Sequence, residues 1–320
     1  MLIKKEQIKS ADKRIKFLLC GVPGSGKTTL ALSSKRPLLI DIDEGVDRVS
    51  VKYRSDVDKV KTYDELIADL KSPMINDYDT IVVDTGGKLF DKIIKAKVID
   101  QNQKNGQSDG SLSLKGYGAA YVLFKNLVAF IDKLGKDQIY IFHANEQSNK
   151  VNNEDVISYR LQIEGKTRQE IWNDMDLGAM LEIVGDKRVL HFKQCDRYFA
   201  KGNHGITGDY DVPTLTGSNK NNFLTLLFDK YRENITNEEK DGNEELEKYE
   251  LVMQEGHRLI ECACNGEITF DRASEELSKL KFVSTSKQEL LSELMSKAKE
   301  SGFTYDKQSK NFINNGNTAK

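Results

Sequence analysis

The chain has 320 residues and a formal net charge of −2, with 38% of its residues hydrophobic and 31% charged. This length can bury a sizeable core in one large or two modest domains, and the near-neutral charge means that any nucleic-acid surface must be local. The sequence has no apolar run of membrane-spanning length, no secretory signal and only four cysteines, so we expect a cytoplasmic protein without a membrane partner.

The first predicted strand, residues 16–20, leads into a glycine-rich loop. The loop matches the phosphate-binding pattern G-x-x-x-x-G-K-[ST], and its residues are Gly21, Val22, Pro23, Gly24, Ser25, Gly26, Lys27 and Thr28, followed by Thr29 in a predicted helix. Glycines let backbone N–H groups turn toward phosphate oxygens, and the helix N-terminus favours an anion. We expect Lys27 to reach the β- and γ-phosphates and Thr28 to ligate Mg²⁺.

The next two predicted strands end in carboxylates. The strand over residues 37–41 runs into Asp43 and Glu44, and a carboxylate beside the γ-phosphate can orient the attacking water. Asp43 is the first candidate for this role and Glu44 the second. The strand over residues 80–84 ends in Asp84, a Walker B pattern that predicts a second Mg²⁺ ligand beside Thr28.

The rest of the first two hundred residues continues the alternation of strands and helices. Residues 117–134 carry an apolar stripe at helical spacing, and residues 138–142 form a strand followed by His143 and Asn145. These two polar side chains are candidates to bond the γ-phosphate and relay its presence. Further strands are predicted at residues 179–184 and 189–193, and polar loops at residues 101–115 and 146–159.

The pattern predicts an α/β fold whose core is a mostly parallel twisted sheet, with a small helical unit at the C-terminus. We expect the core to span residues 1–231. The composition predicts a charged linker over residues 232–245, the helical unit over residues 246–310, and a disordered tail over residues 311–320.

Several classes of P-loop protein remain in competition. A GTPase would use D-x-x-G, which residues 84–87 match, but the nearest string to its N-K-x-D guanine reader, residues 149–152, lacks the final Asp. An AAA+ ATPase usually has Glu directly after the Walker B Asp, where this chain has Thr85. A small-molecule kinase would be shorter and would need an arginine-rich lid. The remaining class is RecA-like, with its catalytic acid after the strand that follows the P-loop helix.

The chain most resembles the phage-encoded RecA-like nucleotide-binding ATPases, which are linked to single-strand annealing and recombination. The resemblance covers about residues 12–215, and it rests on residues 40–47, 80–85, 115–118, 142–143, 164–166 and 175–176. It implies a RecA-like core that binds ATP and Mg²⁺, forms a homo-oligomeric ring or filament, and hydrolyses ATP on single-stranded DNA in phage recombination, annealing or repair. The location would then be the bacterial host cytoplasm.

The resemblance also implies that a basic residue from a neighbouring subunit completes the site. Lys201 is the preferred candidate, ahead of Lys193 and Arg197. The two polar loops would face DNA, and the C-terminal unit is a candidate to bind a single-stranded DNA-binding protein. The alternative is a slow nucleotide-gated switch that recruits partners through this unit, and a P-loop kinase or GTPase ranks below it.

Overall fold

The chain divides into two units, Met1–Ile235 and Thr236–Lys320. The computed structural model describes residues 13–151, 154–163, 167–216 and 219–315. None of the helices in these ranges combines the length and apolar character that a membrane crossing requires.

A central sheet organises the first unit. Its strands are β1 Lys16–Gly21, β2 Pro37–Asp41, β3 Asp56–Asp58, β4 Thr80–Asp84, β5 Asp137–Val151, β6 Glu154–Leu161, β7 Leu177–Val184, β8 Lys187–His191 and β9 Asp209–Val212. Within the described ranges the order is β3-β2-β4-β5-β1-β7-β8-β9, with β6 paired to β5. In this order, the five neighbouring pairs β3–β2, β2–β4, β4–β5, β5–β1 and β1–β7 are parallel. The pairs β7–β8, β8–β9 and β5–β6 are antiparallel. The expected α/β class with a mostly parallel sheet is confirmed.

Helices cover both faces of this sheet. They are α1 Lys27–Ala31, α2 Tyr63–Leu70, α3 Gly86–Lys88, α4 Lys95–Gln101, α5 Leu114–Lys133, α6 Thr167–Asn173 and the start of α7 Phe223–Cys264, together with a π-helix, Leu89–Ile94. Successive strand residues point to opposite faces. In β1, Phe17 therefore packs in a core with Leu30 of α1 and Phe228 of α7, whereas Leu18 packs in a core with Phe124 of α5.

The second unit contains the end of α7, α8 Phe270–Ser278, α9 Ser286–Glu300 and an antiparallel hairpin of β10 Phe303–Asp306 and β11 Asn311–Asn314. Its core includes Leu259, Ala273, Leu277, Leu290 and Leu294. A Cβ at Gly256 would meet the Leu290 side chain at 2.3 Å, which shows how closely α7 and α9 approach within this unit.

The segment 232–245, expected as a linker, is helical and lies within α7. The boundary between the units, after Ile235, falls inside this segment. Glu and Lys are good helix formers, and a helix that is polar on all sides is stable in solvent when its ends belong to packed structures. The low apolarity of the segment therefore indicated exposure rather than loss of helix.

The tail and both polar stretches also differ from expectation. Residues 311–314 of the expected disordered tail form β11, where Phe312 is buried and its N–H donates to Asp271 at 2.7 Å, and residues 316–320 lie outside the described ranges. The stretch 146–159, expected as a loop, contributes most of the β5–β6 hairpin. The stretch 101–115 contains a 3₁₀ helix, Gln103–Asn105, and a bridge between Gly106 and Leu112.

Candidate nucleotide site

The predicted phosphate loop, Asp84 and His143 converge at the carboxyl ends of the parallel strands. Gly21 at the end of β1 pairs with His143 of β5, and Asp41 at the end of β2 pairs with Asp84 at the end of β4. In open α/β sheets ligands bind outside this edge, so the sheet order places these residues where a ligand binds.

Glycine is required at three points of the loop that joins β1 to α1. Gly24 and Gly26 adopt φ values of 79° and 92°, in the left-handed region that other residues rarely occupy. A Cβ at Gly21 would lie 2.7 Å from the carbonyl oxygen of Leu181 in the neighbouring strand. A turn within the loop is closed at Val22, because its carbonyl accepts hydrogen bonds from the N–H and hydroxyl groups of Ser25 at 3.3 and 2.9 Å.

Lys27 lies folded into this loop. Its ammonium group donates to the carbonyl oxygens of Gly21 and Val22 at 2.9 and 2.8 Å. The side chain is buried, and burial lowers the pKa of Lys27 to about 8. A phosphate would restore a full counter-charge to this desolvated ammonium, which is the chemistry that a phosphate-binding lysine needs.

Thr28 and Asp84 form the candidate magnesium site. The Thr28 hydroxyl donates to the Asp84 carboxylate at 2.6 Å. Burial raises the pKa of Asp84, and the hydrogen bond from Thr28 opposes that rise. Hydroxyl and carboxylate oxygens are the hard ligands that Mg²⁺ prefers, and a buried carboxylate gains from a cation beside it. The residues present therefore fit the predicted metal.

Asp43 lies beside Asp84, and cations hold its carboxylate. Arg48 contacts Asp43 at 3.1 Å, and the Lys88 ammonium pairs with its other oxygen. The backbone N–H of Asp43 donates to the Asp84 carbonyl at 3.2 Å, which ties the two strand ends together. Glu44, the second candidate acid, is exposed and takes a left-handed φ of 52°. The geometry therefore favours Asp43 over Glu44.

His143 is partly buried next to the loop. Its Nδ1 has no hydrogen-bond partner among the described residues. Burial, with Lys27, Lys88 and Arg48 nearby, lowers the pKa of His143 to about 4, so the ring is neutral at pH 7. Asn145, two residues further along β5, is exposed and pairs with Arg160 of β6. His143, not Asn145, therefore lies with the phosphate loop.

Lys201, the preferred candidate for completing a neighbour's site, is engaged within its own chain. Its ammonium group contacts the carbonyl oxygens of Trp172 and Met175, and its backbone pairs with Gly178. The structure therefore groups Lys201 with α6 and β7 rather than with the phosphate loop. Its ammonium would have to leave these carbonyls to reach another subunit.

Three basic residues at the site were missed by sequence reasoning. Arg48 and Lys88 are the partners of Asp43 described above. Arg188 of β8 donates from Nε to the carbonyl of Ser25 at 3.1 Å, and a Cβ at Gly26 would meet its guanidinium at the same distance. The two strands β7 and β8 were expected, but the sheet order that brings them next to the loop could not be predicted from the sequence.

A cavity of about 380 Å³ continues outward from the loop. Its lining includes Gly26 and Thr29 together with Tyr53, Arg188 and Asn221. The Asn221 amide donates to the Thr29 carbonyl at 2.8 Å, which joins the cavity to the start of α1. A pocket of this size accepts a small organic group, so the loop is followed by room for a nucleoside.

The glycine-rich loop, the Thr28–Asp84 pair and the mostly parallel sheet define a P-loop nucleotide-binding protein. Residues 13–204 match the family model described as AAA domain, and the chain belongs to that family. Thr85 occupies the position after Asp84 where AAA+ proteins usually have Glu. Its hydroxyl caps the start of α3 and accepts a hydrogen bond from the Lys88 N–H.

Solved structures resemble the chain at low identity. The flagellar accessory protein FlaH from Methanocaldococcus jannaschii is 12% identical over 55% of this chain and 76% of its own, with a TM-score of 0.33. The RadB recombinase is 16% identical over 62% and 91%, with a TM-score of 0.34. A third solved structure, the ATPase domain of another protein, is 9% identical over 64% and 81%, with a TM-score of 0.38. No curated protein matches the chain.

Proposed function

We propose that this protein is a Mg²⁺-dependent ATPase that acts on, or assembles with, single-stranded DNA in phage recombination, annealing or repair. The observation that carries the proposal is the convergence of Lys27, Asp43, Asp84 and His143 around one phosphate loop. Membership of the AAA domain family supports the ATPase class. The DNA and phage assignments rest on the resemblance of the sequence motifs.

Each residue at the loop has a defined task in this proposal. Lys27 turns from the Gly21 and Val22 carbonyls to the β- and γ-phosphates, and Thr28 and Asp84 hold Mg²⁺. When bound, Mg²⁺ neutralises charge on the phosphate oxygens. The neutral His143 ring donates a hydrogen bond to the γ-phosphate, and Asp43 orients the attacking water once a conformational change loosens its ion pairs.

A second candidate function is a slow nucleotide-gated switch. The observation that favours it is the double ion pairing of Asp43 with Arg48 and Lys88, because a carboxylate neutralised by two cations is a weak base for water. In this case ATP would be bound for long periods, and the bound state would recruit a partner through the C-terminal unit.

The rate of ATP hydrolysis, measured with and without single-stranded DNA, separates the two functions. The DNA-coupled ATPase predicts that an oligonucleotide raises the turnover number on the order of tenfold. Electron microscopy of the same samples tests for the proposed rings or filaments. A slow rate that single-stranded DNA leaves unchanged would contradict the first proposal and favour the switch.

A further inference from the structure

The first unit contains a cavity of about 740 Å³. It is separate from the cavity of about 380 Å³ beside the phosphate loop. Cys20 of β1 and Met180 of β7 belong to the lining of the larger cavity, and both side chains pack in the core on the sheet face that α5 covers. The phosphate-loop helix α1 packs on the opposite face. The cavity is therefore a second concave site, in the size range of pockets that hold small organic groups.

Aromatic side chains belong to the lining of this cavity. Phe199 is 45% exposed, and its ring lies 4.8 Å from the ring of the buried Trp172. Tyr159 and Tyr198 also line the cavity. An exposed aromatic ring supported by a buried one is a platform on which a planar group can stack.

The charged lining of the cavity favours an anionic ligand. Arg160 and Arg168 line it together with Asp196. Arg168 is fixed by hydrogen bonds from its Nε and Nη2 to the carbonyl of Ile163 at 3.1 and 3.0 Å. Arg197 lies over the Tyr159 ring at 5.6 Å, and its charge is balanced by an ion pair with Glu182 at 2.7 Å. Stacking rings combined with arginines match the bases and phosphates of a single strand.

We propose that this cavity binds nucleobases of single-stranded DNA, with Phe199 as the stacking residue and Arg160 as a phosphate contact. This inference rests on the proposed DNA-coupled function, and it specifies where the DNA is held. The cavity is distinct from the ATP site, since its lining includes none of the phosphate-loop residues 21–28.

The backbone links this cavity directly to the ATP site. Cys20 immediately precedes Gly21, the first residue of the phosphate loop, and pairs with Met180. On the other side, Arg160 pairs with Asn145, two residues beyond His143. Binding of single-stranded DNA in the cavity can therefore shift both β1 and β5 at the points where they reach the nucleotide. This provides a route by which DNA stimulates ATP hydrolysis.

The sequence supplies its own probe, because Trp172 is the single tryptophan of the chain. The experiment titrates the full-length protein with unlabelled oligothymidylate and follows Trp172 fluorescence, with thymidine monophosphate as a second ligand. A labelled oligonucleotide gives DNA affinity independently by anisotropy. The variants are Phe199→Leu, which keeps an apolar contact with Trp172 but removes the stacking ring, and Arg160→Gln.

Matched controls carry the same changes elsewhere. Arg14→Gln removes an exposed arginine that precedes β1, at the end of the strand opposite Cys20, and Phe282→Leu replaces an aromatic ring in the second unit. We expect oligothymidylate to quench Trp172 saturably, and each cavity variant to weaken DNA binding about tenfold and reduce the fold stimulation of ATPase. The control variants should match the unaltered protein in both readouts.

Four other outcomes would overturn the inference. If the labelled strand binds but Trp172 emission does not change, or if the cavity variants bind as well as the controls, DNA is held elsewhere and only this inference fails. If thymidine monophosphate binds as tightly as the oligonucleotide, the cavity is a site for free nucleotides. If the unaltered protein neither binds single-stranded DNA nor is stimulated by it, the proposed DNA function fails as well.

Discussion

Burial sets the charge states at the phosphate loop. It lowers the pKa of Lys27 to about 8 and raises the pKa of Asp84, so both ions are held in a site that favours their neutral forms. A nucleotide phosphate beside Lys27 and a cation beside Asp84 would reverse both shifts. The site is therefore electrostatically prepared for a Mg²⁺–nucleotide pair.

The lowered pKa of Lys27 predicts that ATP affinity depends on pH above neutrality. The charged ammonium is the form that binds phosphate, and it is lost as the pH rises through about 8. The protonated fraction of Lys27 falls from about one half at pH 8 to about one tenth at pH 9. The affinity for ATP should therefore fall about fivefold over this range. Calorimetric titration with a non-hydrolysable ATP analogue measures this.

The control for that titration is Lys27→Arg, because a guanidinium stays charged throughout this range. Its affinity, whatever its absolute value, should not change between pH 8 and pH 9. An affinity of the unaltered protein that is equally flat would show that Lys27 keeps its proton before the nucleotide binds.

The proposed role of Asp43 in hydrolysis can be tested by substitution. Asp43→Asn should leave ATP binding nearly unchanged and slow hydrolysis at least about 100-fold, because the amide cannot polarise the attacking water. Glu44→Gln is the matched control, since Glu44 is exposed beside it. Single-turnover hydrolysis measures both variants. If Asp43→Asn hydrolyses at the normal rate and Glu44→Gln is slow, the catalytic acid is Glu44.

Among the elements, strands with an apolar pattern were readable from the sequence. The strands expected at residues 37–41 and 80–84 coincide with β2 and β4, and every residue of β4 is buried. The β5–β6 hairpin was missed because Glu146, Gln147 and Ser148 are all exposed, so that no apolar alternation marks the strand. Only the middle of helix α7, residues 232–245, was missed in the same way, because these turns carry no apolar stripe.

Some residues of the candidate site could be predicted from short sequence motifs, whereas others depend on contacts between distant parts of the chain. The phosphate loop and Asp84 are defined by short motifs, and their expected proximity appears as the 2.6 Å contact between Thr28 and Asp84. The roles of Arg48, Lys88 and Arg188 depend on which strands are neighbours and on how side chains cross between them. Such contacts have no local sequence signature.

The β7–β8 hairpin makes a testable contribution to the nucleotide site. It carries Arg188 to the Ser25 carbonyl, next to the cavity that follows the loop. Arg188→Ala should weaken ATP binding about tenfold, the usual worth of one hydrogen bond to a charged group. Lys187→Ala is the matched control, because Lys187 is exposed and pairs with Asp211. Equal affinities of the two variants would exclude Arg188 from the site.

The whole chain combines a P-loop unit with a second unit that has its own hydrophobic core. The family match, residues 13–204, lies entirely within the first unit. The nucleotide site and the proposed DNA cavity lie there as well. The second unit lies outside the family match, and its proposed role is to bind a partner.

Binding and hydrolysis of Mg²⁺–ATP at the Lys27 loop are the core of the proposed function. The most direct test is the steady-state release of phosphate from ATP by the full-length protein and by Lys27→Ala, with circular dichroism and thermal unfolding to verify that both are folded. We predict Mg²⁺-dependent turnover by the unaltered protein and a loss of at least about 100-fold in the variant. Equal turnover by a folded Lys27→Ala protein would contradict the assignment.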